Sequence, residues 1–152
     1  MVALLCQGQP ALEASAIDAP RADGVANFTI DTLRRLQLEL KAQQPSANPE
    51  IFVLVGADAF LGLRRWRDPD ALLTLAEWIV VSRPGFDRER IGDLQLASAQ
   101  LRRVHWLDGV AEPASGTAIR EALRNGEDPG ALLPPGVLTY IRTHRLYQAP
   151  AV

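Results

Sequence analysis

Soft metal ligands are scarce in this sequence: 152 residues include one cysteine, Cys6, and two histidines, His105 and His144. One thiol excludes an internal disulfide and any multi-thiolate zinc site, and the two histidines lie far apart along the chain. No metal ligand is therefore assigned, and a reducing cytoplasm is the expected compartment. An excess of either charge is missing too. Sixteen basic residues against eighteen acidic ones leave a formal charge of −2, which excludes the basic footprint that a sequence-independent grip on nucleic acid requires. No apolar run approaches the roughly 18 residues that would span a membrane. The opening MVALLCQGQPALEASA carries small residues of the kind found at a secretory cleavage site, but it lacks a basic start and its apolar run is too short. Also absent are the G-x-x-x-x-G-K-[ST] loop, the G-x-G-x-x-G fingerprint, H-E-x-x-H and G-x-S-x-G.

What is present is the makings of one ordinary domain, since 47% hydrophobic content over this length suffices for a core. LEASAI (12–17) reads as a short strand and DAPRADGVAN (18–27) as a loop. A helix follows over NFTIDTLRRLQLELKAQQ, with Phe28, Ile30, Leu33, Leu36 and Leu40 near three-four spacing, Asn27 or Thr29 as cap, and an end before Pro45. Five consecutive apolar residues, Ile51 to Val55, running into Gly56, read as a parallel strand buried on both faces. DPDALLTLAEW reads as a helix with Asp68 at its cap and Pro69 in the first turn. WIVVS (78–82) and the weaker RVHWL (103–107) read as further strands, and two helices, 117–125 and 135–144, close the chain. Strands alternating with helices predict an α/β fold with a parallel sheet, whose ligands gather beyond the carboxyl ends of the strands.

Candidate site residues fall at those ends and at helix starts. In SGTAIREAL the free N–H groups of a helix start, the hydroxyls of Ser115 and Thr117 and the fork of Arg120 suit an anion, and Gly116 admits close approach. Plain capping by Ser115 or Thr117, with Arg120 paired to Glu121, Glu127 or solvent, is the default for the segment by itself, and the phosphate reading needs outside support. Asp58, two residues beyond a strand, suits the paired hydroxyls of a sugar with Gly56 beside it, or caps the next helix. Trp66 lies among Arg64, Arg65 and Arg67, a polar setting that suits a stacking platform, the alternative being packing over the next helix. Arg83 in SRPGF is placed to hold a phosphate bidentately, or simply marks a turn.

Taken in order, FTIDTL, VLVGADAFLGLRRW, VVSRPGF, SGTAIREAL and LLPPGVLTYIRTHRLY resemble the bacterial nicotinate-nucleotide adenylyltransferases across nearly the whole chain. The resemblance implies a Rossmann-like nucleotidyltransferase fold, a parallel sheet flanked by helices, and transfer of an adenylyl group from ATP to nicotinate mononucleotide with release of pyrophosphate. It implies roles for individual positions. Thr29 would help recognise the nicotinate carboxylate, Trp66 would stack on the pyridine ring, and Arg83 would meet the phosphate side of the mononucleotide. Gly56 and Asp58 would line the adenosine ribose, and Ser115, Thr117 and Arg120 would receive the ATP phosphates, with Mg²⁺ carried by ATP.

One departure accompanies these matches. Family members begin with a strand and a G-G-[ST]-F-D-P-x-H-x-G-H loop, which this sequence lacks, and neither His105 nor His144 has His-x-Gly-His spacing. The expectation is thus a single domain, residues 1–152, equal to the C-terminal two-thirds of the family fold with its first two strands missing. No catalytic residue is assigned. Three functions follow: a truncated adenylyltransferase of low activity, a non-catalytic module that binds nucleotides, or half of a split enzyme completed by another polypeptide. Unpaired strand edges would favour self-association or pairing with the missing segment.

Overall fold

The computed structural model describes residues 1–82, 88–109 and 115–147. Two compact units divide the chain, one of Ala16–Ala111 and one of Met1–Ser15 with Glu112–Val152. The elements of the larger unit are α2 (Thr29–Gln43), β1 (Phe52–Gly56), α3 (Ala57–Leu61), α4 (Pro69–Leu75), β2 (Glu77–Val81), α5 (Ser98–Leu101) and β3 (Val104–Leu107). The smaller unit holds α1 (Val2–Cys6), α6 (Gly116–Arg124) and α7 (Pro135–Thr143).

Among the described residues the strands form a parallel sheet in the order β1-β2-β3. Register sorts their side chains onto two faces. Val53 and Val55, then Trp78 and Val80, then Val104 and Trp106 share one face. That face meets Ile30 and Leu33 of α2, Phe60 of α3 and Leu72 and Leu73 of α4 in one apolar cluster. Trp78 is its centre, fully buried, with its ring centroid 5.6 Å from Phe60 and 6.0 Å from Trp66. Its indole Nε1 donates to the Leu72 carbonyl at 3.4 Å, so burial leaves the polar corner of the ring satisfied.

The opposite face differs from the expectation for β1. Phe52 is 53% exposed and Leu54 67%, so β1 alternates between covered and open positions instead of being buried twice over. An unbroken apolar run reports hydrophobicity but not how many faces are covered. The segment 12–17 is another correction: it forms no strand, and turns and exposed residues occupy it. A run of six residues without neighbouring strands gains too little from pairing to hold an extended ladder.

The helical spacing of α2 is borne out, since Ile30 and Leu33 are buried and Phe28, Leu36 and Leu40 pack against the same core. Its expected cap is not. Phe28 occupies the N-cap position without a side-chain bond, while the Asn27 amide donates to the carbonyls of Asp18 and Ala19 at 3.1 and 2.7 Å. Asp68 does hold the N-cap position of α4, which runs only to Leu75, but its carboxylate makes no cap bond. It pairs with Arg34 at 3.2 Å instead.

In the smaller unit, α7 buries Val137 and Ile141. The helix α6 begins one residue earlier than its spacing suggests, with Ser115 as cap, and ends where Gly126 takes a positive φ of 75°. Such a left-handed residue closes a helix at little cost only when it lacks a Cβ.

Candidate functional site

The larger unit carries Thr29, Gly56, Asp58 and Trp66. Gly56 is the last residue of β1 and leads directly into α3, so Asp58 stands in the first turn of that helix. Its side chain makes no cap bond to the helix. The carboxylate folds back over the strand end: a Cβ on Gly56 would lie 2.7 Å from Asp58 Oδ1. The glycine thus makes room for the acid, and the two expected site residues are brought together.

Trp66 follows a short 3-10 turn, Leu63–Arg65. Its ring meets Trp78 nearly edge-on, at an interplanar angle of 67°. Half-buried, it serves the core with one edge. Arg67 lies over the Phe28 ring, 4.6 Å from its centroid, a cation–π contact. Because Phe28 precedes Thr29 and Arg67 follows Trp66, this contact seats the Thr29 and Trp66 segments side by side.

Arg64, grouped with Trp66 by sequence, belongs to the frame. Its Nε donates to the Leu94 carbonyl at 2.8 Å and its Nη2 to that of Gln95 at 3.2 Å, while Nη1 meets Asp70 at 2.8 Å. Gln100 donates to the same Asp70 oxygen at 2.9 Å. Hydrogen bonds from Gln100 first, then from Arg64, hold the Asp70 carboxyl below its usual pKa.

A further contact joins two carboxyl ends of the sheet. Ser82 follows β2 and donates through Oγ to Asp108 Oδ1, which follows β3, at 2.5 Å. Reading the sequence missed this pair, although both residues directly follow strand ends. Arg83, next to Ser82, lies outside the described residues.

The smaller unit carries Ser115, Thr117 and Arg120 at the start of α6. Ser115 Oγ accepts the N–H of Ala118 at 3.4 Å, a long capping bond. Arg120 Nη2 donates to Thr117 Oγ1 at 3.4 Å, and a Cβ on Gly116 would stand 3.1 Å from Arg120 Nη1. The guanidinium therefore folds over the glycine at the helix start. Neither Glu121 nor Glu127 pairs with it among the described residues. No group of three His, Cys, Asp or Glu side chains suited to a metal occurs among the described residues, and no helix there is long and apolar enough to cross a membrane.

No family model matches the chain. Individual relatives do. A probable nicotinate-nucleotide adenylyltransferase of Stenotrophomonas maltophilia (strain K279a) is 37% identical over 149 residues, covering 87% of this chain and 64% of the relative. One of Leifsonia xyli subsp. xyli (strain CTCB07) is 33% identical over 151 residues, covering 99% of this chain and 68% of the relative. The chain belongs to the nicotinate-nucleotide adenylyltransferase family. It spans about two-thirds of the length of these family members, 64% and 68%. The solved Plasmodium falciparum nicotinic acid mononucleotide adenylyltransferase complexed with APC superposes with a TM-score of 0.56 at 17% identity, over 84% of this chain and 62% of that one. At that identity the likeness establishes a shared fold, the Rossmann-like nucleotidyltransferase α/β architecture.

Proposed function

We propose that this chain supplies the nucleotide-binding wall of a nicotinate-nucleotide adenylyltransferase in NAD biosynthesis. In that reaction a phosphate oxygen of nicotinate mononucleotide attacks the α-phosphorus of ATP. A new P–O bond forms, the α–β bridge breaks, and pyrophosphate leaves with the displaced electron pair. Positioning and donors aimed at the phosphate oxygens carry most of such a transfer.

Thr29 and Trp66 take the pyridine end, with Trp66 offering its open face to the ring and Thr29 meeting the carboxylate. Arg83 meets the phosphate side of the mononucleotide. Asp58, held over Gly56, accepts from the ribose hydroxyls of ATP. Ser115, Thr117 and Arg120 receive its phosphates at the start of α6, and Mg²⁺ arrives with ATP. The single cysteine and the use of ATP suit the cytoplasm.

The Arg67–Phe28 stack is the observation that most supports this reading, because it sets Thr29 and Trp66 next to each other across two distant segments. Calorimetry with nicotinate mononucleotide tests it. Binding is expected, with Trp66→Ala weakening it at least tenfold, an effect of about 1.4 kcal/mol; no binding by the unaltered chain overturns the proposal. Pyrophosphate release in the presence of ATP then measures whether binding leads to transfer.

A further inference from the structure

The amino edge of the sheet carries a concavity at the opposite strand ends from Gly56 and Asp58. A cleft of about 330 Å³ lies there, lined by Gln37 of α2, Glu50 and Ile51 just before β1, Leu75 at the end of α4, Glu77 at the start of β2 and Arg103 before β3. The whole lining belongs to the larger unit. A strand of five residues separates it from Gly56 by about 16 Å. Two backbone bonds fix the frame: the Glu77 N–H donates to the Ile51 carbonyl at 2.8 Å and the Trp78 N–H to that of Arg103 at 2.7 Å.

The polar groups of this cleft are mostly acceptors. Glu77 spends its carboxylate on Arg103 at 3.5 Å and on His105 at 2.8 Å, so the one guanidinium in the lining is offset. Glu50 has no hydrogen bond or ion pair among the described residues, and its charge is left uncompensated. The last backbone bond of α4 runs from the Ala76 N–H to the Leu72 carbonyl, which leaves the Thr74 and Leu75 carbonyls without a helical partner. The Thr74 hydroxyl gives its proton to the Asp70 carbonyl at 2.9 Å, so its oxygen can only accept. Beneath these acceptors the floor is apolar, with Ile51 buried and Pro49 and Leu75 half-buried.

That combination selects the ligand. The free carboxylate repels an anion. A bound metal would need several hard or imidazole ligands, and no group of three His, Cys, Asp or Glu side chains suited to one occurs among the described residues. The volume and the apolar floor suit a small organic molecule. What fits both is a cation with N–H donors at one end and a hydrocarbon stem at the other. We propose that the cleft binds a small primary alkylamine as its ammonium ion, with the charged head on Glu50 and the α4 carbonyls and the stem over Pro49, Ile51 and Leu75. The site uses none of the residues assigned to nicotinate mononucleotide or ATP, so it stands or falls apart from the proposed adenylyl transfer.

The test is calorimetry of the full chain at low ionic strength and neutral pH, without nucleotide, using n-butylammonium, methylammonium and butyrate as probes. Butylammonium is expected to bind with a Kd of about 1 mM or tighter. Methylammonium, which lacks the stem, is expected to bind about tenfold more weakly, and butyrate not measurably. Glu50→Gln, at an exposed position, is expected to weaken butylammonium about tenfold, and Trp66→Ala to leave it unchanged. Thermal melts without probe check folding, and Gln37→Ala, on the exposed side of α2, gives a second reading with about a threefold loss if Glu50→Gln fails to fold. The proposal is overturned if butylammonium does not bind, if the folded variant leaves its affinity unchanged, or if methylammonium or butyrate binds as tightly.

Discussion

Trp78 and Gly56 show two ways in which one residue shapes this molecule. Trp78 fills the centre of the larger core at 0% exposure, so Trp78→Ala leaves a cavity, while the Leu72 carbonyl keeps its bond from the Ala76 N–H. The expected loss is about 3–5 kcal/mol in urea denaturation. Gly56 acts through space rather than burial. Its φ of −69° and ψ of 146° suit any residue, so Gly56→Ala is expected to unfold within about 1 kcal/mol of the wild type. The added methyl would still displace the Asp58 carboxylate, and the expected consequence is weaker ATP binding by calorimetry at nearly unchanged stability. At this scale the sequence was partly legible. Gly56 beside Asp58 could be read from adjacency, but the use of Asn27 and Asp68 could not. Both side chains answer to partners brought near by folding rather than to the helix ends beside them.

Helix ends and turns carry the next level of organisation. Ser115 caps α6 through a 3.4 Å bond, so Ser115→Ala should cost near the lower end of the usual range, about 0.5 kcal/mol, measured by chemical denaturation. The Arg64–Asp70–Gln100 cluster ties the 3-10 turn, α4 and α5 together. Hydrogen bonding from Gln100 and Arg64 holds the folded-state pKa of Asp70 below the ordinary aspartate value. A lowered folded-state pKa adds stability that is present above the unfolded value and is lost as pH falls through the folded one. Asp70→Asn is therefore expected to melt below the wild type at pH 7, with the gap closing as pH falls beneath about 3.9. A gap that stays constant across that range would contradict the assignment. The α2 spacing announced its buried face directly, because a 3.6-residue period is local. The Arg64 cluster was hidden, since its carbonyl partners at Leu94 and Gln95 lie far along the chain.

The open sheet face is the feature that bears on the molecule as a whole. Phe52, Leu54 and Leu107 are exposed on it, and β1 has no second strand neighbour among the described residues. An apolar face beside an unpaired edge promotes association between chains. Leu54→Lys is expected to leave stability nearly unchanged while reducing self-association in sedimentation velocity at raised concentration. An unchanged sedimentation profile would show that this face does not mediate association.

Family membership, the alternation of strands with helices and the residues of the helix-start motif were determined by the sequence alone, because each is written in short segments whose spacing survives without a partner. The sidedness of β1, the edge-on packing of Trp66 against Trp78 and the gathering of arginines around Phe28 were decided only by tertiary structure. Five apolar residues are equally hydrophobic whether one face or two are covered, and Arg67 meets Phe28 only after α2 and the 3-10 turn have packed on the same core.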